Sequence, residues 1–94
     1  CPMNQNEMIS YALDFVSYLI GRLASIDRII LFGSVARGDY NCESDIDLFI
    51  DTKDKKLEND VKKLTDTYYK NSKARAWKLK GIENTFSCIV GILR

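Results

Sequence analysis

Four residues with chemical potential lie close together in this chain: Gly33 and Ser34, then, after ten further residues, Asp45 and Asp47. An apolar run precedes the glycine, and another follows the second aspartate. A glycine lets a phosphate approach the backbone closely, and two carboxylates can hold a divalent metal ion. A phosphoryl- or nucleotidyl-transfer site needs both features in one place.

The residues around Gly33 predict a strand, a tight junction and one helical turn. Residues 29–32 are large and apolar or β-branched, which predicts a buried strand. Ser34 suits the N-cap of a short helix, and Gly38 suits its end. Backbone N–H groups at such a helix start favour an anion. The alternative is an ordinary strand–turn–helix junction without a ligand.

Asp45 and Asp47 are two residues apart, so both project from one face if the segment is a strand. Ile46, Leu48 and Ile50 then point the other way, into a core. Neighbouring carboxylates repel unless a positive charge compensates, and Mg²⁺ is held by one or two carboxylates together with substrate phosphates. The alternative is a polar strand start. A calcium loop is disfavoured because the residues that follow are apolar.

Helical and alternating patterns predict the elements that position these residues. A first helix begins at an Asn4–Glu7 capping pair, and its apolar stripe is Ile9, Ala12, Leu13, Val16, Leu19, Ile20 and Leu23. A second carries the stripe Leu57, Val61, Leu64 and Tyr68. Further strands are predicted at 74–79 and 86–93. The predicted fold is α+β, a small mixed sheet with helices mainly on one face, ordered helix, strand, short helix, strand, helix, strand, strand.

At 31–39 (LFGSVARGD) and 44–48 (SDIDL), the sequence resembles the signature of the DNA polymerase β-type nucleotidyltransferase superfamily. The ten-residue spacing is that of its small prokaryotic members, the minimal nucleotidyltransferase domains. The resemblance is tightest over 29–50, and length and element order extend it to the whole chain. It implies the nucleotidyltransferase fold, ATP or another nucleoside triphosphate as donor, and two Mg²⁺ ions. Some members are antitoxins that transfer AMP onto a HEPN-type toxin, a small helical ribonuclease.

The resemblance also implies roles for individual residues. The residues that would bind the nucleotide or the metal ions by this resemblance are Gly33, Ser34, Asp45 and Asp47, and the charge of Arg37 makes it a further nucleotide-binding candidate. The two aspartates would be catalytic as the metal ligands, and the Gly-Ser pair would hold the triphosphate. Arg37 could add a positive charge to the leaving pyrophosphate. The alternative for Arg37 is an ion pair with Asp39 or Glu43.

The superfamily usually places a third carboxylate on a later strand, and Glu83 is the candidate here. It is the only acidic residue after the second long helix, and it lies in a predicted turn at 81–84. Either Glu83 supplies this metal-site carboxylate from a loop, or the chain lacks it; a solvated turn residue is the favoured interpretation. The alternative function is therefore a nucleotide-binding interaction module with little or no catalysis.

Composition limits the possible classes of protein. The 94 residues suffice for one domain, 1–94. The absence of histidine excludes Ser-His and Cys-His catalysis. Cys1, Cys42 and Cys88 are unclustered, which favours a reducing cytoplasm over disulfides or a zinc site. No apolar run reaches the roughly 18 residues of a membrane span. Because the chain stops directly after an apolar strand, a C-terminal truncation is one interpretation.

The net charge of +1 hides an asymmetry. Residues 70–80 contain five basic residues, no acid and Trp77. Such a segment could bind nucleic acid, a triphosphate or an acidic partner, although a solvated strand face is favoured.

The favoured function is Mg²⁺-dependent transfer of a nucleoside monophosphate to a protein hydroxyl, since the domain is too small for a polynucleotide cleft. A nucleic-acid-binding module based on 70–80 is a further alternative.

Overall fold

The computed structural model describes residues 4–41, 44–82 and 84–92, which form four helices and three strands. In chain order these are α1 (Gln5–Ile20), β1 (Arg28–Phe32), α2 (Gly33–Arg37), β2 (Ile46–Asp51), α3 (Leu57–Tyr68), α4 (Ser72–Leu79) and β3 (Phe86–Gly91). The sheet order is β1-β2-β3, with β1 antiparallel and β3 parallel to β2. This confirms the predicted α+β class and mixed sheet. None of the described helices is long and apolar enough to cross a membrane.

The segment 74–79 is helical, so the strand predicted there is wrong. The Asn71 side chain caps α4 by accepting a hydrogen bond from the Ala74 N–H at 2.9 Å. The two residues of this segment that contact the core, Ala74 and Trp77, are three apart, which suits a helix and not a strand. The second long helix is therefore followed by another helix and, within the described residues, by a single strand.

One face of the sheet forms the floor of the core. Ile46, Leu48 and Ile50 of β2 are fully buried, as their alternation predicts. The apolar residues beside them on the edge strands are Ile29, Leu31, Phe86, Cys88 and Val90. Helices α1 and α3 pack over this face, and the predicted stripe of α3 is confirmed by the burial of Leu57, Val61 and Tyr68.

Helix α1 buries only part of the predicted stripe: Ala12 and Leu19 lie in the core, but the buried face is centred on other residues. Leu13 and Ile20 are 58% and 57% exposed, whereas Met8 and Phe15 are fully buried. The Phe15 ring stacks on Phe86 of β3 with the ring centroids 4.0 Å apart. An aromatic ring buries more apolar area than a leucine and gains from ring–ring contact, so the helix turns its aromatic side to the sheet.

The core contains two fully buried tyrosines, whose hydroxyl groups lie in different environments. The Tyr11 hydroxyl donates a hydrogen bond to the backbone carbonyl of Asn84 at 2.9 Å. The Tyr68 hydroxyl has no hydrogen-bond partner among the described residues. Burial, with a smaller contribution from the Asp14 carboxylate, raises the pKa of Tyr68 to about 12. The polar atom of Tyr68 is therefore desolvated without compensation from the described part of the chain.

The opposite face of the sheet is partly exposed and carries both apolar and polar rows. Three rows of paired residues cross it: Ile30, Phe49 and Ile89; Phe32, Asp47 and Ser87; and Arg28, Asp51 and Gly91. Ile89 is 50% exposed and Phe32 is 36% exposed. The acidic motif at the start of β2 therefore lies on the face that the core does not use.

The two buried tyrosines give a matched pair of substitutions. We expect Tyr68→Phe to leave the free energy of unfolding unchanged or to raise it by about 1 kcal/mol, because it removes a desolvated hydroxyl. Tyr11→Phe should lower it by about 1 kcal/mol, because it removes a buried hydrogen bond. Urea unfolding measures both values. Equal destabilisation in the two variants would contradict the unpaired state of the Tyr68 hydroxyl.

Candidate active site

The two aspartates of the motif lie where β2 begins. Asp47 is the second residue of β2, and Asp45 directly precedes the strand. Because Ile46 and Leu48 are held in the core, the alternation directs Asp47 to the opposite face of the sheet. Asp45 is exposed and Asp47 is half-buried, so both carboxylates can be reached by a ligand. The predicted geometry of the acidic pair is therefore present.

Gly33 lies directly against the Asp47 carboxylate. The register pairs Asp47 with Phe32, the last residue of β1, so the next residue along reaches the same end of β2. Gly33 has φ +80°, and a Cβ atom at this position would overlap Oδ2 of Asp47. Glycine is thus required here both by the backbone conformation and by the close approach of a side chain from β2.

Helix α2 begins two residues earlier than predicted. Gly33 is its first residue and Phe32 its N-cap, without a side-chain capping bond, so the N-cap role expected for Ser34 is wrong. Ser34 instead lies in the first turn and is half-buried. The predicted end of the helix is correct, since Gly38 adopts φ +86° at the C-cap.

Two contacts hold α2 in place beside the motif. Val35 is fully buried in the core, and the Gln5 side chain of α1 donates a hydrogen bond to the Val35 carbonyl at 3.1 Å.

Arg37, in the last turn, pairs with Asp39, with 3.3 Å between Nε and Oδ2, and both side chains are well exposed. This is one of the alternatives expected for Arg37. An exposed pair of this kind is weak and leaves the guanidinium able to exchange partners.

Asp45 is fixed by the segment that leads into β3. The Thr85 hydroxyl donates a hydrogen bond to Oδ1 of Asp45 at 2.5 Å. On either side of Asp45, the Asn84 side-chain amide donates to the Ser44 carbonyl at 2.7 Å, and the Ile46 N–H donates to the Thr85 carbonyl at 2.9 Å. Residues 84 and 85 therefore set both the backbone and the carboxylate of Asp45.

The contacts of Thr85 and Asn84 were not found by sequence reasoning. Both residues precede the apolar alternation of β3, and their proximity to Asp45 follows from the parallel register of β2 and β3. The only signal was that a polar Asn-Thr pair precedes this strand as a Ser-Asp pair precedes β2. That signal is uninformative until the two strands are known to be neighbours.

The comparison with known proteins decides the family. A family model described as a nucleotidyltransferase domain matches residues 12–88. The chain belongs to this family. The match includes every site residue described above and confirms the resemblance to minimal nucleotidyltransferases of the DNA polymerase β-type superfamily.

Two proteins of Methanocaldococcus jannaschii, both named "Putative protein adenylyltransferase", are similar to parts of this nucleotidyltransferase domain. One is 68% identical over 25 residues, which are 27% of this chain and 25% of the relative. The other is 49% identical over 49 residues, which are 51% of this chain and 46% of the relative. The matches thus span a quarter to just under half of the relatives' lengths. No solved structure matches the chain.

Neutral side chains occupy the positions of this nucleotidyltransferase domain that lie beside the aspartates on the β3 side. Ser87 pairs with Asp47, and Thr85 contacts Asp45. Among the residues that the structure describes, no three His, Cys, Asp or Glu side chains cluster as a metal site. Glu83, the candidate third carboxylate, lies outside the described residues, so its role stays a prediction.

The two glycines with similar backbone angles provide a test of the contact between Gly33 and Asp47. Gly33→Ala and Gly81→Ala both place a side chain at positive φ, which costs roughly 1–2 kcal/mol. A Cβ at Gly81 meets no atom within 4 Å, whereas one at Gly33 overlaps Asp47. We expect Gly33→Ala to lose about 1–3 kcal/mol more stability in denaturant unfolding, and to weaken Mn²⁺–ATP binding in calorimetric titration. Equal effects of both substitutions would contradict a tight Gly33–Asp47 contact.

Proposed function

We propose that this domain transfers a nucleoside monophosphate, AMP in the first instance, from a nucleoside triphosphate to a hydroxyl group on a partner protein. The observation that carries the proposal is the packing of the Asp47 carboxylate on the Gly33 backbone, with Asp45 beside it. Two carboxylates, the kind of ligand that Mg²⁺ takes together with substrate phosphates, thus lie next to the backbone of Gly33. The family match supports the same reaction class.

In this proposal each residue has a distinct task. Gly33 and Ser34 hold the terminal phosphates of the triphosphate, and Arg37 exchanges its exposed pairing with Asp39 for the departing pyrophosphate. Asp45 and Asp47 would hold Mg²⁺, because one or two carboxylates together with substrate phosphates are the ligands that this ion takes. Bound Mg²⁺ would neutralise charge that develops on the transferred phosphoryl group. Thr85 keeps the Asp45 carboxylate oriented.

The reaction is a displacement at the α-phosphorus of the donor. The acceptor oxygen forms a bond to this phosphorus, the bond to the bridging oxygen of the β-phosphate breaks, and pyrophosphate leaves. The acceptor proton must go to water or to a basic group. The hydroxyls of Thr85 and Ser87 are poor bases, so we expect a slow enzyme, or one that gains from a group on its partner, unless Glu83 contributes.

The choice of a protein acceptor rests on the relatives. The names of both contain "protein adenylyltransferase". We propose a small helical protein of the HEPN type as the partner, on the basis of the superfamily resemblance. The unclustered cysteines favour a reducing cytoplasm as the location.

A second candidate function is nucleotide binding without turnover. The neutral residues Thr85 and Ser87 on the β3 side of the site favour it, because activation of the acceptor needs a base more than donor binding does. Incubation with α-labelled ATP, Mg²⁺ and the product of a neighbouring gene distinguishes the two functions. Covalent label on the partner supports transfer, whereas donor binding without label supports the binding module.

Substitution of the aspartates tests the metal assignment. We expect Asp45→Asn and Asp47→Asn each to lower transfer by roughly 100-fold or more, the scale of losing one transition-state stabiliser. Thermal stability should not fall, because each change removes one of two neighbouring like charges. Asp60→Asn on the exposed side of α3 is the control and should retain activity. Parent-like transfer by the Asp45→Asn/Asp47→Asn double variant would refute the assignment.

The hydroxyl of Thr85 can be tested separately from its shape. Thr85→Val keeps the volume but removes the donor to Asp45, so Mn²⁺ affinity and transfer rate should fall by roughly tenfold, as for other outer-shell ligand partners. Thr85→Ser keeps the hydroxyl and should retain most of both. If the valine and serine variants behave alike, the hydrogen bond does not orient Asp45.

A further inference from the structure

A cavity lies beside Thr85, the residue whose hydroxyl contacts Asp45. Its volume is about 220 Å³, and its lining residues are Tyr11, Tyr69, Ala74, Lys78 and Thr85. Thr85 lines this cavity and also bonds to Asp45 at 2.5 Å. Tyr69 is held in the wall because its hydroxyl accepts a hydrogen bond from the Phe86 N–H at 2.8 Å. The cavity is thus linked to Asp45 through Thr85, and Tyr69 is fixed in its wall.

The order of the strands places Gly33 and the cavity residue Thr85 on opposite sides of β2. Gly33 follows β1, Thr85 precedes β3, and β2 with its aspartates lies between them. In a phosphoryl displacement the attacking and leaving oxygens lie roughly in line. If the terminal phosphates leave on the Gly33 side, the acceptor has to enter from the Thr85 side. This step rests on the proposed function.

The rim of the cavity is basic. Lys78 lines it, and Arg75 is its neighbour on the surface of α4, three residues earlier. The segment 70–80 holds five basic residues and no acid. The Lys80 ammonium of the same segment is 4.8 Å from the centre of the Trp77 ring. Lys78, which lines the cavity, and Arg75 bring two positive charges to one turn of α4.

We propose that this cavity admits the acceptor side chain, and that Lys78 and Arg75 select a hydroxyl residue flanked by Asp or Glu in a partner protein. The cavity is smaller than the roughly 300–1,000 Å³ of typical ligand pockets, which suits one side chain better than a nucleoside. The positive charges of Lys78 and Arg75 lie on one helical turn, a spacing that suits pairing with the carboxylates of a short acidic segment. Polynucleotide binding generally spreads over more phosphates than that.

The test uses synthetic acceptors, since the partner is unidentified. Three peptides of equal length each carry one serine, one threonine and one tyrosine. These residues are flanked by acidic residues in the first peptide, by neutral residues in the second and by basic residues in the third. A single-stranded oligonucleotide with a free 3′-hydroxyl is the fourth acceptor. Incorporation of label from α-labelled ATP with Mg²⁺ gives kcat and KM for each acceptor. We expect kcat/KM to be highest for the acidic peptide.

Substitutions on α4 separate selection from general loss of function. Lys78→Gln and Arg75→Gln should each raise KM for the acidic peptide about two- to fivefold, as expected for exposed charge pairs. The dissociation constant of Mn²⁺–ATP should stay unchanged. Lys53→Gln is the control, because this exposed lysine follows the far end of β2, roughly 20 Å away. The Lys78→Glu/Arg75→Glu double variant should favour the basic peptide.

The outcomes distinguish the inference from the function on which it rests. Equal labelling of all three peptides, or an unchanged KM in the α4 variants, would overturn the acidic-segment selectivity while transfer stands. Preferential extension of the oligonucleotide would overturn it in favour of nucleic acid. No label on any acceptor would refute the transfer activity itself, and the inference with it.

Discussion

The strand β2 imposes the constraint on which the core and the site both depend. It is paired on both sides, so its side chains must alternate between two faces. Ile46, Leu48 and Ile50 fill one face and are fully buried. A one-residue slip of this strand would bring Asp47 into the core and expose all three apolar residues. Burial of the apolar residues therefore fixes where the aspartates point.

The two aspartates are directed to different neighbours. Asp47 lies on the Gly33 backbone after β1, whereas Asp45 is bonded to Thr85 before β3. Each strand that pairs with β2 thus supplies one contact at the same end of the sheet. The arrangement gives the site two sides, one without a side chain and one with a hydroxyl. A domain of 94 residues reaches this geometry because both contacts come from strand ends that must be adjacent.

Local patterns sufficed where burial alone sets the structure. The alternation of β2, the stripe of α3 and the left-handed Gly38 followed from residue type and spacing. Residues 74–79 were misassigned because a short, Ala- and Lys-rich segment has little periodicity, and the decisive signal was the Asn71 cap. The stripe of α1 was displaced because Phe15 gains more from Phe86, on a distant strand, than Leu13 gains locally.

The candidate site could not be predicted fully from local patterns, because its residues come from two halves of the chain that differ in charge. Residues 1–52 contain three basic and eight acidic residues, and residues 53–94 contain eleven and five. The acidic half supplies the aspartates, and the basic half supplies Thr85 and the α4 cations. The parallel pairing of β2 with β3 brings Thr85 to Asp45, and such non-local pairing leaves no local pattern. Because Thr85 and Lys78 line one cavity, the same pairing also brings a residue of the basic segment into the neighbourhood of Asp45.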